Sequence, residues 1–175
     1  MRTTAGWIGK GTVVMLAAIV ILTPAHVRAA DERDGGRERE ALRRALSVVK
    51  IDSAVRVVLI EPELAPEPEA LRDLDAFVVR EPHGALRPVI YINRQSQIVR
   101  RAAAGSDFYV YVLAAVIHHE AHHLKGASEA EARRAEEEFF RSVIDRGKVS
   151  ASLGRTYLQL LARHPGESHS SLERE

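Results

Sequence analysis

The chain of 175 residues contains no cysteine. This absence excludes a zinc site made of thiolates, a cysteine nucleophile and a lipid attached through an N-terminal cysteine. Without disulfides, the fold must depend on its core and on any metal that it binds. Metal-binding chemistry in this chain is therefore restricted to histidine and carboxylate side chains.

The apolar run near the N-terminus is too short for a membrane span. It extends over residues 12–22, whereas a spanning helix needs about 20 apolar residues. Basic residues precede it, and Val27-Arg28-Ala29 follows as a small-residue cleavage site, with an earlier alternative after Ala25. This order predicts a signal peptide over residues 1–29 and a periplasmic or secreted protein. The alternative to cleavage is a leader that stays attached as an N-terminal membrane anchor.

Neither sign of charge dominates the chain. The leader holds three of the 25 Lys and Arg residues and no acid, so 22 remain against 24 Asp and Glu residues. This balance gives no reason to expect nucleic acid or a stable membrane contact for the processed chain. Residues 30–166 are expected to form a single domain, and residues 167–175 a disordered polar tail.

A long uncharged stretch leads into a cluster of histidines. Residues 108–117 read FYVYVLAAVI, and four of the next six residues are histidine. A helix that is apolar all round is buried, and Ser106 or Asp107 is a suitable N-cap for it. Since burying histidines without partners is costly, a metal ion is expected to provide that partner.

Within the cluster, His119-Glu120-Ala121-His122-His123 has the spacing of a zinc motif. On a helix, His119 and His123 share one face and could bind one Zn²⁺, while Glu120 could reach a water molecule at the metal. His118 and His122 have the same spacing without the adjacent glutamate, so we expect them outside the metal shell or partly exposed. The alternative is a solvated helix end whose imidazoles favour the helix dipole.

A zinc site with two helical histidines needs a third protein ligand. Gly126 is expected to end the helix, and Ser128 with Glu131 has the capping-box spacing that starts another. If the second helix folds back, Glu131 lies beside His123 and becomes the predicted third ligand, with Glu129 as the alternative. The capping box by itself would also explain Glu131. The acidic run at residues 136–138 is expected on the solvated face of this second helix.

Residues 119–123 followed by Ser128-Glu129-Ala130-Glu131-Ala132 resemble the zincin-type zinc metallopeptidases, and the downstream glutamate is similar to that of the gluzincin branch. The resemblance covers roughly residues 106–143, although the third glutamate of familiar gluzincins usually lies further downstream. It implies Zn²⁺ bound by His119, His123 and Glu131, with Glu120 as the general base and a peptide or protein as substrate. An oxyanion donor is also expected, for which Tyr157, Tyr91 and His164 are the candidates.

The remaining sequence predicts an α+β fold, in which a short antiparallel sheet packs beside the helix hairpin that carries the metal. Strands are expected at residues 54–60, 76–80 and 89–93, and further helices at residues 37–49 and 153–162. The hairpin formed by the last two strands could bind an extended peptide along its edge, or it could only cover the helix. Three functions remain open: a peptidase, a zinc-binding or zinc-buffering protein, and an inactive zincin scaffold.

Overall fold

The computed structural model describes residues 35–64, 72, 74–81 and 83–163. The expected signal peptide, the expected polar tail and His164 lie outside these residues. The described part contains five helices and three strands, and the predicted α+β fold is confirmed. In chain order the elements are α1 (Gly36–Leu46), β1 (Arg56–Ile60), β2 (Ala76–Arg80), β3 (Leu86–Asn93), α2 (Gln97–Ala103), α3 (Asp107–Leu124), α4 (Glu129–Asp145) and α5 (Ala151–Arg163).

The three strands form a mixed sheet with the order β1-β3-β2. The predicted hairpin of β2 and β3 is antiparallel, with Phe77 opposite Tyr91. In contrast, β1 pairs with β3 in parallel, with Val58 opposite Tyr91. The sheet is therefore mixed, and the prediction of a wholly antiparallel sheet is wrong in this one pairing. Turn signals in a sequence indicate the pairing of strands joined by a tight turn, whereas β1 reaches β3 only through long-range packing.

One face of the sheet packs into the core. Ala76, Ile90 and Ile92 are buried there, with Val78 partly buried beside them. Because side chains alternate along a strand, Tyr91 lies on the opposite face, where its ring stacks on Phe77 with 5.2 Å between centroids. The Tyr91 ring thus contacts Phe77 on the face of the sheet opposite to this core.

Helix α3 runs through the centre of the fold and contacts α1, α2, α4, β2 and β3. Seven of the eight residues from Val110 to Ile117 are buried, Tyr111 being the exception, as the uncharged stretch predicts. Each fully buried Val, Leu or Ile side chain contributes about 1.5–3 kcal/mol relative to an exposed one. The histidine cluster therefore lies in the last turns of a helix whose preceding residues are packed in the core. In the described residues, no helix has both the length and the apolar character needed to cross a membrane.

The turn between α3 and α4 is built as the sequence predicts. Gly126 has φ of +86°, a conformation that side chains disfavour, and its N–H donates to the His123 carbonyl at 2.9 Å. The N–H of Ala127 donates to the His122 carbonyl at 3.1 Å, which completes a Schellman motif. Ser128 and Glu131 then form the expected capping box that begins α4.

Candidate metal centre

Two imidazole rings lie next to each other at the C-terminal end of α3, with an angle of 71° between their planes. The Nε2 atoms of His119 and His123 are 3.0 Å apart, and the ring centroids are 4.8 Å apart. His119 is only 5% exposed, and His123 is partly buried. The shared helix face predicted from their spacing is present in the structure.

The first residue of α4, Glu129, brings a carboxylate to the two rings. Its Oε2 atom lies 3.1 Å from Nε2 of His123 and 3.5 Å from Nε2 of His119. In a tetrahedral zinc site with metal–ligand bonds of about 2.0–2.1 Å, ligand atoms are separated by roughly 3.3 Å. The three donor atoms already have this spacing. Among the described residues, they form the cluster of histidine and acidic side chains close enough to hold one metal ion.

Glu131, the residue expected to be the third ligand, does not reach the imidazoles. Its carboxylate accepts hydrogen bonds from the backbone N–H of Ser128 at 2.8 Å and from the Ser128 hydroxyl at 2.7 Å. Two residues correspond to about 200° around a helix, so Glu129 and Glu131 cannot face the same neighbour. The capping interaction directs Glu131 to the helix end and leaves Glu129, the alternative, beside the rings.

The outer nitrogen of each ring is held by an acceptor. Nδ1 of His123 donates to the Ala127 carbonyl at 3.0 Å, and Nδ1 of His119 donates to Oε2 of Glu136 at 3.0 Å. In a neutral imidazole the other nitrogen then carries no hydrogen. Both Nε2 lone pairs and the Glu129 carboxylate consequently converge with no hydrogen between them. Such an arrangement requires a cation, which is either a metal ion or an added proton.

The titration of the same groups reflects this need for positive charge. Burial lowers the pKa of His119, but hydrogen bonds with Glu129 and Glu136 outweigh it and raise the pKa to about 10. Hydrogen bonds with His119 and His123 hold the pKa of Glu129 far below its usual range. In the metal-free protein the positive charge is therefore expected to come from a proton on His119.

Glu136 was expected on a solvated face, together with Glu137 and Glu138, but its side chain is fully buried. Besides bonding His119, it accepts a hydrogen bond from the Tyr157 hydroxyl at 2.6 Å. The sequence contained a sign of this burial. Glu136 falls on the stripe of Ala132, Phe140 and Val143, at the helical spacing of a core face.

Tyr157, a candidate oxyanion donor, is engaged inside the fold. It is 1% exposed, and its hydroxyl is bonded to Glu136. Burial, and after it the nearby Glu136 carboxylate, raises the pKa of Tyr157 well above its usual value, so the hydroxyl keeps its proton and donates it to that hydrogen bond. The Tyr157 hydroxyl therefore donates to the carboxylate that bonds His119, and it does not face solvent.

Three further polar residues, His118, Glu120 and His122, belong to the C-terminal part of α3. The pKa of His123 is raised, chiefly by its hydrogen bond with Glu129, and the negative charge of the partly exposed Glu120 helps to raise the pKa of both His119 and His123. His118 pairs with His122 and lies 5.2 Å from the Phe139 ring. Burial, followed by nearby positive groups, lowers the pKa of both these histidines.

Comparisons with models of protein families, with curated proteins and with solved structures found no match to this chain. Its function is therefore inferred from its own residues.

Proposed function

We propose that this protein is a zinc-dependent metallopeptidase in which His119, His123 and Glu129 bind the metal and Glu120 is the general base. The observation that carries the proposal is the convergence of three donor atoms, Nε2 of His119, Nε2 of His123 and Oε2 of Glu129, which lie 3.0–3.5 Å apart. Two histidines and one glutamate form a ligand set of catalytic zinc sites, which keep a fourth position open.

The exposure of the centre on one side is consistent with a catalytic function. The side chain of Glu129 is 48% exposed, whereas that of His119 is 6% exposed, so the donors are reached from solvent on the glutamate side. When bound, Zn²⁺ would polarise the scissile carbonyl and make water more acidic. Glu120, adjacent to His119 on the same helix, would accept the proton from water and deliver it to the leaving amine.

The proposed substrate is a peptide or protein. In the described part of the chain β2 is an edge strand of the sheet, and it packs against α3. An extended peptide pairing with that edge would run beside the helix that carries the centre. The proposal also includes export, because residues 1–29 have the order of a secretory signal. The mass of the N-terminal peptide of protein recovered outside the cytoplasm would test for cleavage after Ala29.

A second candidate function is non-catalytic zinc binding. The observation that favours it is the neighbouring pair His118 and His122, which has the same 4.8 Å ring separation as His119 and His123. Four imidazoles on one helix end could bind zinc without any hydrolysis. The base, Glu120, separates the two functions because buffering does not need it.

The test compares the parent protein with Glu120→Gln, using an unfolded protein as substrate and elemental analysis for bound zinc. If the protein is a peptidase, we expect one zinc per chain in both proteins. The rate of hydrolysis should be about 10²–10⁴-fold lower in the variant, which is the usual contribution of a general base. Glu138→Gln, an exposed glutamate of α4, is the matched control and should match the parent. A parent that binds zinc but hydrolyses nothing would support the buffering function instead.

A further inference from the structure

Helix α5 is connected to the candidate metal centre by two chains of hydrogen bonds. In the first, the Tyr157 hydroxyl donates to Oε1 of Glu136 at 2.6 Å, and Oε2 of Glu136 accepts from Nδ1 of His119 at 3.0 Å. In the second, Arg133 donates from one terminal nitrogen to the Leu161 carbonyl at 3.4 Å and from the other to Oε1 of Glu129 at 2.8 Å. Each series of hydrogen bonds thus starts at a residue of α5 and ends at a proposed metal ligand.

We propose that Glu136 and Arg133 are positioning residues that set the metal affinity of the centre, with α5 as their anchor. This inference rests on the proposed function, because it concerns the same three ligands. It adds that the centre depends on three helices, of which α3 and α4 supply the donor atoms and α5 holds those donors in place.

The role of Glu136 follows from its burial and from its two contacts. A fully buried carboxylate is rare unless its oxygens are bonded, and both oxygens of Glu136 are bonded here. By accepting from Nδ1 of His119, Glu136 fixes the ring orientation and leaves Nε2 as the metal donor. The negative charge behind the ring also makes Nε2 a stronger donor, the known effect of a carboxylate bonded to a metal-binding histidine.

Arg133 acts on the glutamate in a corresponding way. It is 9% exposed, and its contact with Oε1 of Glu129 leaves Oε2 as the oxygen that faces the two imidazoles. The planar guanidinium can hold this carboxylate and the Leu161 carbonyl at once, whereas the single ammonium of lysine lacks this forked geometry. Arg133 therefore restricts the carboxylate, whose side chain is otherwise half exposed, to the orientation that a metal needs.

The experiment measures the zinc dissociation constant of the full processed chain by competition with a chromogenic chelator. Glu136→Gln keeps the size and one acceptor of the side chain but removes its charge, so we expect zinc binding to weaken by about 10–100-fold. Tyr157→Phe and Arg133→Lys should also weaken zinc binding. The first removes the hydrogen bond to Glu136, and the second removes the guanidinium that bonds both Glu129 and Leu161. Glu138→Gln removes the same charge from the exposed side of α4 and should leave the constant unchanged.

A second readout separates positioning from simple stabilisation. The thermal midpoint of each metal-free variant is measured by circular dichroism, and zinc binding is then compared at a temperature where every variant is folded. Cobalt bound in place of zinc should also show a changed visible absorption in Glu136→Gln, because the donor strength of His119 changes. If Glu136→Gln does not fold, Tyr157→Phe carries the test, since it removes only a hydroxyl group.

The outcomes are distinct. Weaker zinc binding and an altered cobalt spectrum in Glu136→Gln, with Glu138→Gln unchanged, support the inference. Lower metal-free midpoints with zinc constants equal to that of the parent would overturn it and leave the proposed function intact. A parent chain that binds no stoichiometric zinc or cobalt would overturn both.

Discussion

Glu129 and Glu131 lie two residues apart at the start of α4, yet their carboxylates have different partners. Oε2 of Glu129 is 3.1 Å from Nε2 of His123, whereas Oε2 of Glu131 is 2.8 Å from the backbone nitrogen of Ser128. One carboxylate completes the candidate metal centre, and the other caps the helix that presents it. The pair therefore provides a matched test of which acid binds the metal.

We predict that Glu129→Gln abolishes stoichiometric zinc binding and that Glu131→Gln retains it. The carboxamide at position 129 is a weaker metal donor than a carboxylate, and it also alters the contact with Arg133. Glu131→Gln keeps a capping-box side chain and removes nothing from the donor cluster. Elemental analysis after dialysis measures both. Retention of zinc by Glu129→Gln together with its loss in Glu131→Gln would reverse the assignment.

The stability of the metal-free protein is predicted to fall as the pH rises from 6.5 towards 10. Burial opposes protonation of His119, but its hydrogen bonds with Glu129 and Glu136 raise the pKa from 6.5 to about 10. A raised pKa contributes stability that is fully present below the unfolded value and is lost as the pH approaches the folded value. Calorimetry in the presence of a chelator measures this decline.

Bound zinc should stabilise the protein more strongly at high pH, where the metal-free protein is less stable. Binding displaces the proton from His119, so zinc affinity increases over the same pH interval. The rise in melting temperature on adding saturating zinc is therefore expected to be larger at pH 9 than at pH 6.5, in calorimetry at fixed zinc and protein concentrations. A zinc-induced rise that does not change with pH would contradict the participation of His119.

The turn at Gly126 is predicted to matter for metal binding as well as for stability. An alanine there would have to adopt φ of +86°, at a cost of about 1–2 kcal/mol, although its Cβ would meet open space. Because the next residue, Ala127, supplies the carbonyl that holds His123, a strained turn should also weaken zinc binding.

Gly105→Ala is the matched control for that substitution. Gly105 has φ of +96° and also faces open space, but it precedes the other end of α3, about 20 Å from His119 along the helix. It should lower the free energy of unfolding by a similar amount and leave zinc affinity unchanged. Equal losses of zinc affinity in both variants would show that general destabilisation, and not the turn itself, is responsible.

The contact between α4 and α5 is predicted to be sensitive at Gly154. A Cβ at this position would lie 2.4 Å from the side chain of Ile144, so Gly154→Ala should destabilise the fold by about 1–3 kcal/mol through overpacking. The double variant with Ile144→Val, which removes a terminal methyl group, should recover part of that loss. Ser152→Ala on the exposed side of α5 serves as control, and denaturant unfolding measures all of them.

The features that depend on near neighbours in the chain were predictable. Gly126 ends α3, Ser128 and Glu131 start α4, and His119 and His123 share a face, because each relation is set within one or two helical turns. The burial of α3 also followed from its uncharged sequence. In these cases the local preference and the final fold agree, so no information from distant residues was needed.

The features that depend on how elements pack were not predictable in the same way. The parallel pairing of β1 with β3 joins segments separated by β2, and no turn signal specifies it. The burial of Glu136 depends on which face of α4 meets α3 and α5, although its place on the apolar stripe was a sign of it.

The sequence alone determined a buried helix ending in two imidazoles on one face, with an acid next to them and a capped helix to follow. The packing of α4 against α3 is what brings Glu129 to the two imidazoles as the third donor and sets Glu136 behind His119. The physical reason is that hydrogen bonds within a helix fix the spacing of its side chains, whereas the rotation of one helix against another is fixed by packing between distant parts of the chain.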